Sequence, residues 1–313
     1  MDQAPAANPS LLRRFMRWSM VAAAALLALL VAVLFARPEA LLFHPLPHVG
    51  TTPASIGWDF EAVELRTEDG ETLAGWYLPA DPQGALASQA IAVLYCHGNA
   101  GNIGGRMPAL EGLRPLGVSV LIFDYRGYGE SSGRPTVPGT RLDVDAAWRH
   151  LVEVRGFTPA QIVLWGRSLG GAIAIDQAAR QSEAGAPPMA VVVESSFTST
   201  LELGAELYPW LPVRSLGKGL EYPSREHIAT VSAPVLIAHS PDDDLIPAAH
   251  GDALRAAAEA GVAPRVDFVS LTGGHNGGHL TQARYRDAVV DFLAAAGTTG
   301  TMAGARAAQP SLR

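Results

Sequence analysis

Ile162-Val163-Leu164-Trp165-Gly166-Arg167-Ser168-Leu169-Gly170-Gly171-Ala172-Ile173-Ala174-Ile175 is the stretch that decides the fold. It opens as an apolar run of strand length and closes on small and aliphatic residues of helical type. Between the two sits Gly-x-Ser-x-Gly, centred on Ser168. A serine hydroxyl is a weak nucleophile. A tight strand-to-helix turn presents it close to a base and a helix N-terminus. Such a turn strains the serine backbone and crowds its neighbours, and Gly166 and Gly170 answer that by lacking a Cβ. A plain Gly-rich turn is the competing reading; the strand before and the helix after favour the nucleophile.

Catalytic groups gather at the carboxyl ends of parallel strands, so partners for Ser168 are sought just after the later strands. After Val235-Leu236-Ile237-Ala238 comes His239-Ser240-Pro241-Asp242-Asp243-Asp244-Leu245-Ile246-Pro247. After Val269-Ser270-Leu271 comes Thr272-Gly273-Gly274-His275-Asn276-Gly277-Gly278-His279. Serine, acid, histidine is the chain order of an α/β-hydrolase triad. His275 would accept the serine proton, and a carboxylate would fix its tautomer. The residues alone leave three candidate aspartates. An oxyanion needs two donors. The Leu169 N–H at the helix start is one, and the Asn99 N–H, in the loop Tyr95-Cys96-His97-Gly98-Asn99-Ala100-Gly101-Asn102, is the other. His97 reads as a brace for that loop. The Gly-rich run to Gly105 lacks the Lys-Ser/Thr of a P-loop and the spacing of a dinucleotide fingerprint. His275 and His279 are interrupted by two glycines with no adjacent acid, so no metal site is read there. No metal or organic cofactor is implied.

Working outward, short strands alternate with helices from Glu61 onward. Val63 to Thr67 and Thr72 to Pro79 form an opening hairpin around Asp69-Gly70. Ile91 to His97, Val118 to Tyr125, Ala190 to Glu194, Val235 to His239 and Val266 to Leu271 are strands. Arg141 to Val154 and Leu280 to Ala296 are helices. This alternation implies a mostly parallel sheet covered on both faces. Residues 198–228 interrupt it with Tyr208-Pro209-Trp210-Leu211-Pro212, and read as a small cap or a surface excursion. Residues 297–313 are small, polar and Ala/Gly-rich, and read as a disordered tail.

Hydrophobic residues make up 48% of the chain and charged ones 17%, which supplies a large core and argues against disorder. A net charge of −7 gives no electrostatic case for nucleic acid. Cys96 is the only cysteine, so neither a disulfide framework nor a cysteine zinc site is available. Trp18 to Ala36 is uncharged and almost wholly apolar. As a helix it would span roughly 28 Å, about the hydrocarbon thickness of a bilayer. Arg13, Arg14 and Arg17 precede it, whereas Arg37 and Glu39 nearly cancel after it. The expectation is a single-pass anchor over 18–36. Residues 1–17 would then be cytoplasmic, and the catalytic domain, 61–296, would lie on the non-cytoplasmic side. A cleaved signal peptide is the rival, but residues 32–36 offer no clean small-x-small site. Residues 37–60 hold prolines that forbid a helix around His44 and His48, and read as an extended tether.

Five motifs taken in order carry a family resemblance: His97 to Asn102, Asp124-Tyr125-Arg126-Gly127-Tyr128-Gly129, Gly166 to Gly171, His239 to Pro247, and Gly273 to Asn276. Together they resemble the α/β-hydrolase superfamily, in its small-capped, often membrane-anchored serine hydrolase branch. In that branch the acid is the fifth residue of a His-Gly/Ser-x-x-Asp-x-x-Ile/Val-Pro motif, which falls on Asp243. The resemblance implies a hydrolase of esters or thioesters, with Ser168, His275 and Asp243 as its triad and small-molecule or lipid esters as substrates. Amide cleavage, or an anchored interaction protein that has kept the fold without the chemistry, are the alternatives. Arg167 and Arg126 stand where they would meet an anionic substrate or pair with nearby acids.

Overall fold

The computed structural model describes residues 9–36, 39–217, 219–277 and 279–307. They fall into two units, divided after Leu42. In the second unit the apolar, β-branched segments build one eight-stranded sheet. Its strands are β1 (Glu61–Arg66), β2 (Thr72–Leu78), β3 (Ala92–Cys96), β4 (Ser119–Phe123), β5 (Ile162–Arg167), β6 (Ala190–Glu194), β7 (Val235–His239) and β8 (Val266–Ser270). They are ordered β1-β2-β4-β3-β5-β6-β7-β8. The pairings β1–β2 and β2–β4 are antiparallel, and all the others are parallel.

Every residue of β3, β4, β6 and β7 is buried. This is why these strands read as unbroken apolar runs rather than alternating ones: helices cover both faces of a parallel sheet. The crossovers are carried by Met107–Leu113, Val137–Arg149, Leu169–Glu183 and Ala248–Ala260. On one face Tyr95, Trp165, Leu110, Leu113, Val289 and Phe292 share a continuous core. The parallel register sets Cys96 beside Gly166, Arg167 beside Glu194 and His239 beside Ser270. The loops after β3, β5, β7 and β8 therefore leave the sheet at one edge, and those loops carry the candidate site.

Several boundaries differ from the sequence reading. The helix expected from Arg141 begins at Val137, where Thr136 Oγ1 accepts the Gly139 N–H at 3.0 Å and Pro138 occupies the first turn. Residues 198–228 fold largely as three short helices, Thr200–Leu207, Val213–Leu216 and Ser224–Ile228. Among them Tyr208 and Trp210 stay exposed. The closing helix spans Ala283–Ala307, so the tail expected from Gly297 is helical at its start. Residues 308–313 lie outside the described residues.

The tether expected over 37–60 is extended around Pro45 and Pro47, yet it does not hang free. Phe43 is buried, and Pro45 forms an isolated parallel bridge with Gly101. In the first unit, Pro9–Ala36 is a single helix. Among the described residues, however, no helix is long and apolar enough to cross a membrane, so the structure does not support the anchor expected over 18–36. The side chains of residues 27–36 lie outside the described set.

Candidate active site

Strand β5 passes into the helix Leu169–Glu183 through Ser168, whose backbone sits at φ 55°, ψ −122°. That conformation costs an L-residue about 1–3 kcal/mol and persists only where its surroundings enforce it. Here the Ser168 N–H donates to Glu194 O at 2.9 Å, and Ser196 Oγ donates to Ser168 O at 2.9 Å. A Cβ on Gly166 would lie 2.0 Å from Gly170 O, and one on Gly170 would lie 2.0 Å from Cys96 O. Only glycine permits the helix to start this close to β3 and β5.

Ser168 Oγ lies 3.2 Å from His275 Nε2. On the other side of the ring, His275 Nδ1 lies 2.9 Å from Asp243 Oδ2 and 3.1 Å from Oδ1. A carboxylate only accepts, so the proton resides on Nδ1 and the Nε2 lone pair faces the serine hydroxyl. Burial works to raise the Asp243 carboxyl. The hydrogen bond from His275 and the Ile246 and Leu245 N–H groups overcome that and hold it at about 2. Those N–H groups reach Asp243 Oδ1 at 2.8 and 3.0 Å. His239 shapes the same loop from within the core, its Nε2 lying 2.9 Å from Ile246 O. The structure thus brings Ser168, His275 and Asp243 together. Asp242, whose N–H is held by Ser240 Oγ at 3.1 Å, makes no described contact with the ring.

Two neighbours of this trio do work that sequence reasoning missed. Asp244 Oδ1 accepts the His275 backbone N–H at 2.7 Å. It is therefore more than a surface carboxylate, and donors at its oxygens, His275 N–H first, lower its pKa. Arg167 Nη2 donates to His275 O and, at 3.2 Å, to Asn276 Oδ1. The histidine backbone is thus gripped at its N–H by the residue after Asp243 and at its C=O by the residue before Ser168. Adjacency to the two predicted residues was the available signal. Arg126 pairs instead with Asp69 at 2.7 Å and the buried Asp143 at 2.8 Å, which commits it to the fold.

At the loop after β3, a Cβ on Gly98 would sit 3.6 Å from Ser168 Cβ, so Asn99 follows a residue packed directly on the serine. Leu169 opens the helix, where backbone N–H groups lack intrahelical acceptors. His97 is fully buried beside Asp124, with Nε2 to Oδ1 at 3.4 Å, and its ring stacks at 4.4 Å on Tyr125. It faces the core, as a brace would. Burial pushes the Cys96 thiol up to about 12, leaving it protonated beneath the site. Among the described residues no cluster of His, Cys, Asp or Glu is placed to hold a metal ion.

A largely parallel eight-stranded sheet, with a strained serine after β5 facing a histidine after β8, is the architecture of an α/β-hydrolase. The chain belongs to the α/β-hydrolase superfamily: the family model described as alpha/beta hydrolase fold matches residues 91–245. An uncharacterised protein of Mycobacterium tuberculosis (strain ATCC 25618 / H37Rv) is 38% identical over 90% of this chain and 96% of its own length. The lysophosphatidylserine lipase ABHD12 of Mus musculus is 33% identical over 58% of this chain and 52% of its own. Among solved structures, the Pyrococcus furiosus esterase Pf2001 superposes with a TM-score of 0.62 at 23% identity. The match covers 80% of this chain and 98% of that one.

Proposed function

We propose that this protein is a serine hydrolase that cleaves carboxylic ester or thioester bonds through an acyl-enzyme on Ser168. The observation that carries the proposal is the 3.2 Å approach of Ser168 Oγ to His275 Nε2, backed by the 2.9 Å contact of Nδ1 with Asp243. Ser168 Oγ attacks the carbonyl carbon while its proton passes to Nε2. The oxyanion that forms is held by the Leu169 and Asn99 N–H groups. His275 then protonates the departing alkoxide or thiolate, and the acyl group stays on Ser168. A water that loses its proton to His275 attacks the acyl carbon, the bond to Ser168 Oγ breaks as His275 returns that proton to the serine, and the acid leaves. Asp243 keeps the tautomer and stabilises the imidazolium between these steps.

The similarity to a lysophosphatidylserine lipase supports trying lipid esters first. A matched panel of ester, thioester and anilide substrates tests the bond class. Turnover of the esters and thioesters, with anilides at least about a hundredfold slower, is expected. Anilides turned over as fast as esters would overturn the assignment. Placement of the domain outside the cytoplasm is a separate proposal that rests on Arg13, Arg14 and Arg17 in the sequence alone. Protease added to intact cells, or to spheroplasts where an outer membrane is present, should digest the domain. Protection until the inner membrane is lysed would contradict that placement.

A further inference from the structure

An oxyanion donor is effective only when its N–H is held about 3 Å from the place where charge develops. The loop that carries Asn99 has little rigidity of its own. It lies between Gly98 and Gly101, and Gly101 sits at φ 88°. Arg106 Nη2 holds the carbonyls of Gly98, at 3.1 Å, and Ala100 from one side, and the segment before the sheet restrains the loop from the other. The Gly101 N–H donates to His44 O at 3.1 Å, and Gly101 O accepts from the Leu46 N–H at 3.0 Å. Asn102 Nδ2 donates to the carbonyls of Leu46 and His48, at 2.9 and 2.7 Å. At Asn99 itself the contact becomes specific to one side chain. Asn99 Oδ1 accepts the His44 N–H at 3.0 Å and the Tyr128 hydroxyl at 2.9 Å. Two donors on Oδ1 fix the orientation of the amide, so Nδ2 must donate, and it lies 2.9 Å from His44 Nδ1. In this contact His44 Nδ1 is the acceptor.

We propose that residues 43–48 form a strap that sets the position of the oxyanion loop, with His44 as the positioning residue for Asn99. The proposal rests on the reading of Asn99 as an oxyanion donor. Asn99 takes its side-chain geometry from His44 and Tyr128, and its backbone N–H follows. The strap also explains why a segment that supplies no reacting group is laid across the loop after β3 rather than left in solvent.

The experiment uses the full chain with His44→Ala, His44→Phe and His44→Asn, in which Asn Oδ1 replaces Nδ1 as acceptor. His44→Ala and His44→Phe should lower kcat on an ester, and the rate of fluorophosphonate labelling, by about tenfold with KM unchanged. His44→Asn should recover most of the loss. Hydrogen exchange of amides 98–102 should quicken in the Ala and Phe variants and not in the Asn variant, a readout independent of turnover. Labelling at the wild-type rate in all three, or an Asn variant as impaired as Ala, would overturn the strap. A wild-type protein that does not label at all would overturn the serine hydrolase reading instead; the exchange rates of 98–102 would still decide whether His44 orders the loop.

Discussion

Removing Asp244 separates the holding of His275 from the charge that orients its ring. Asp244 Oδ1 accepts the His275 N–H at 2.7 Å, while Asp243 holds the ring at Nδ1 and Arg167 holds the backbone carbonyl. Asp244→Ala removes one of these three restraints. A displacement of about 1 Å in a reacting group costs up to roughly 10²-fold in rate. With the ring still bonded to Asp243, the loss in kcat is set at about tenfold, with KM little changed. Asp244→Asn keeps an acceptor oxygen and should stay within about threefold of wild type. Asp243→Asn is of a different order: it lets the wrong tautomer form, and in such a triad costs about 10⁴ in turnover. The assay is steady-state hydrolysis of one ester by the three variants and wild type at pH 7.5. Wild-type kcat in Asp244→Ala, or equal damage from Ala and Asn, would show that the Asp244 acceptor does not hold His275 in place.

Stability should depend on Asp243 in acid. Its carboxyl, held at about 2 where an unperturbed aspartate titrates near 3.9, contributes about 2 kcal/mol that is present above about pH 4 and lost as pH falls from there to about 2. Urea midpoints at pH 7 and pH 3 should therefore differ less in Asp243→Asn than in wild type; an equal drop in both would contradict this. Gly170→Ala drives a Cβ to 2.0 Å from Cys96 O and 2.6 Å from His97 O, neither of which yields easily. It should cost about 3 kcal/mol or more by thermal unfolding, and an unchanged Tm would show that the helix can shift freely.

Much of the site was legible because its motifs are local. Gly166, Ser168 and Gly170 declare a strand-to-helix turn through spacing alone. The loops at His239 to Pro247 and Gly273 to Asn276 follow apolar strands that also read clearly. The contacts that tune the site were not legible, because they join residues far apart with no periodic signature. Asp244 looks like a surface acid until His275, distant in sequence, is brought to it. Prolines at 45 and 47 exclude a helix but do not distinguish an extended chain in solvent from one bonded to Gly101 and Asn102. Arg126 and Arg167 are the same residue type beside similar motifs. Only packing shows that one meets Asp69 and Asp143 while the other clasps the His275 carbonyl. The closing helix runs past Gly297 to Ala307, and residues 297–307 hold as many glycines as alanines, so neither composition nor propensity marks its end.

A Ser168 hydroxyl activated by His275 reacts covalently with a fluorophosphonate probe, which intact-mass analysis of wild-type protein and Ser168→Ala reads out. Wild type should gain one adduct, on the peptide that contains Ser168. Ser168→Ala, folded as judged by its circular dichroism and melting, should gain none. An adduct on the folded alanine variant, or none on the wild-type protein, would mean that Ser168 is not the nucleophile.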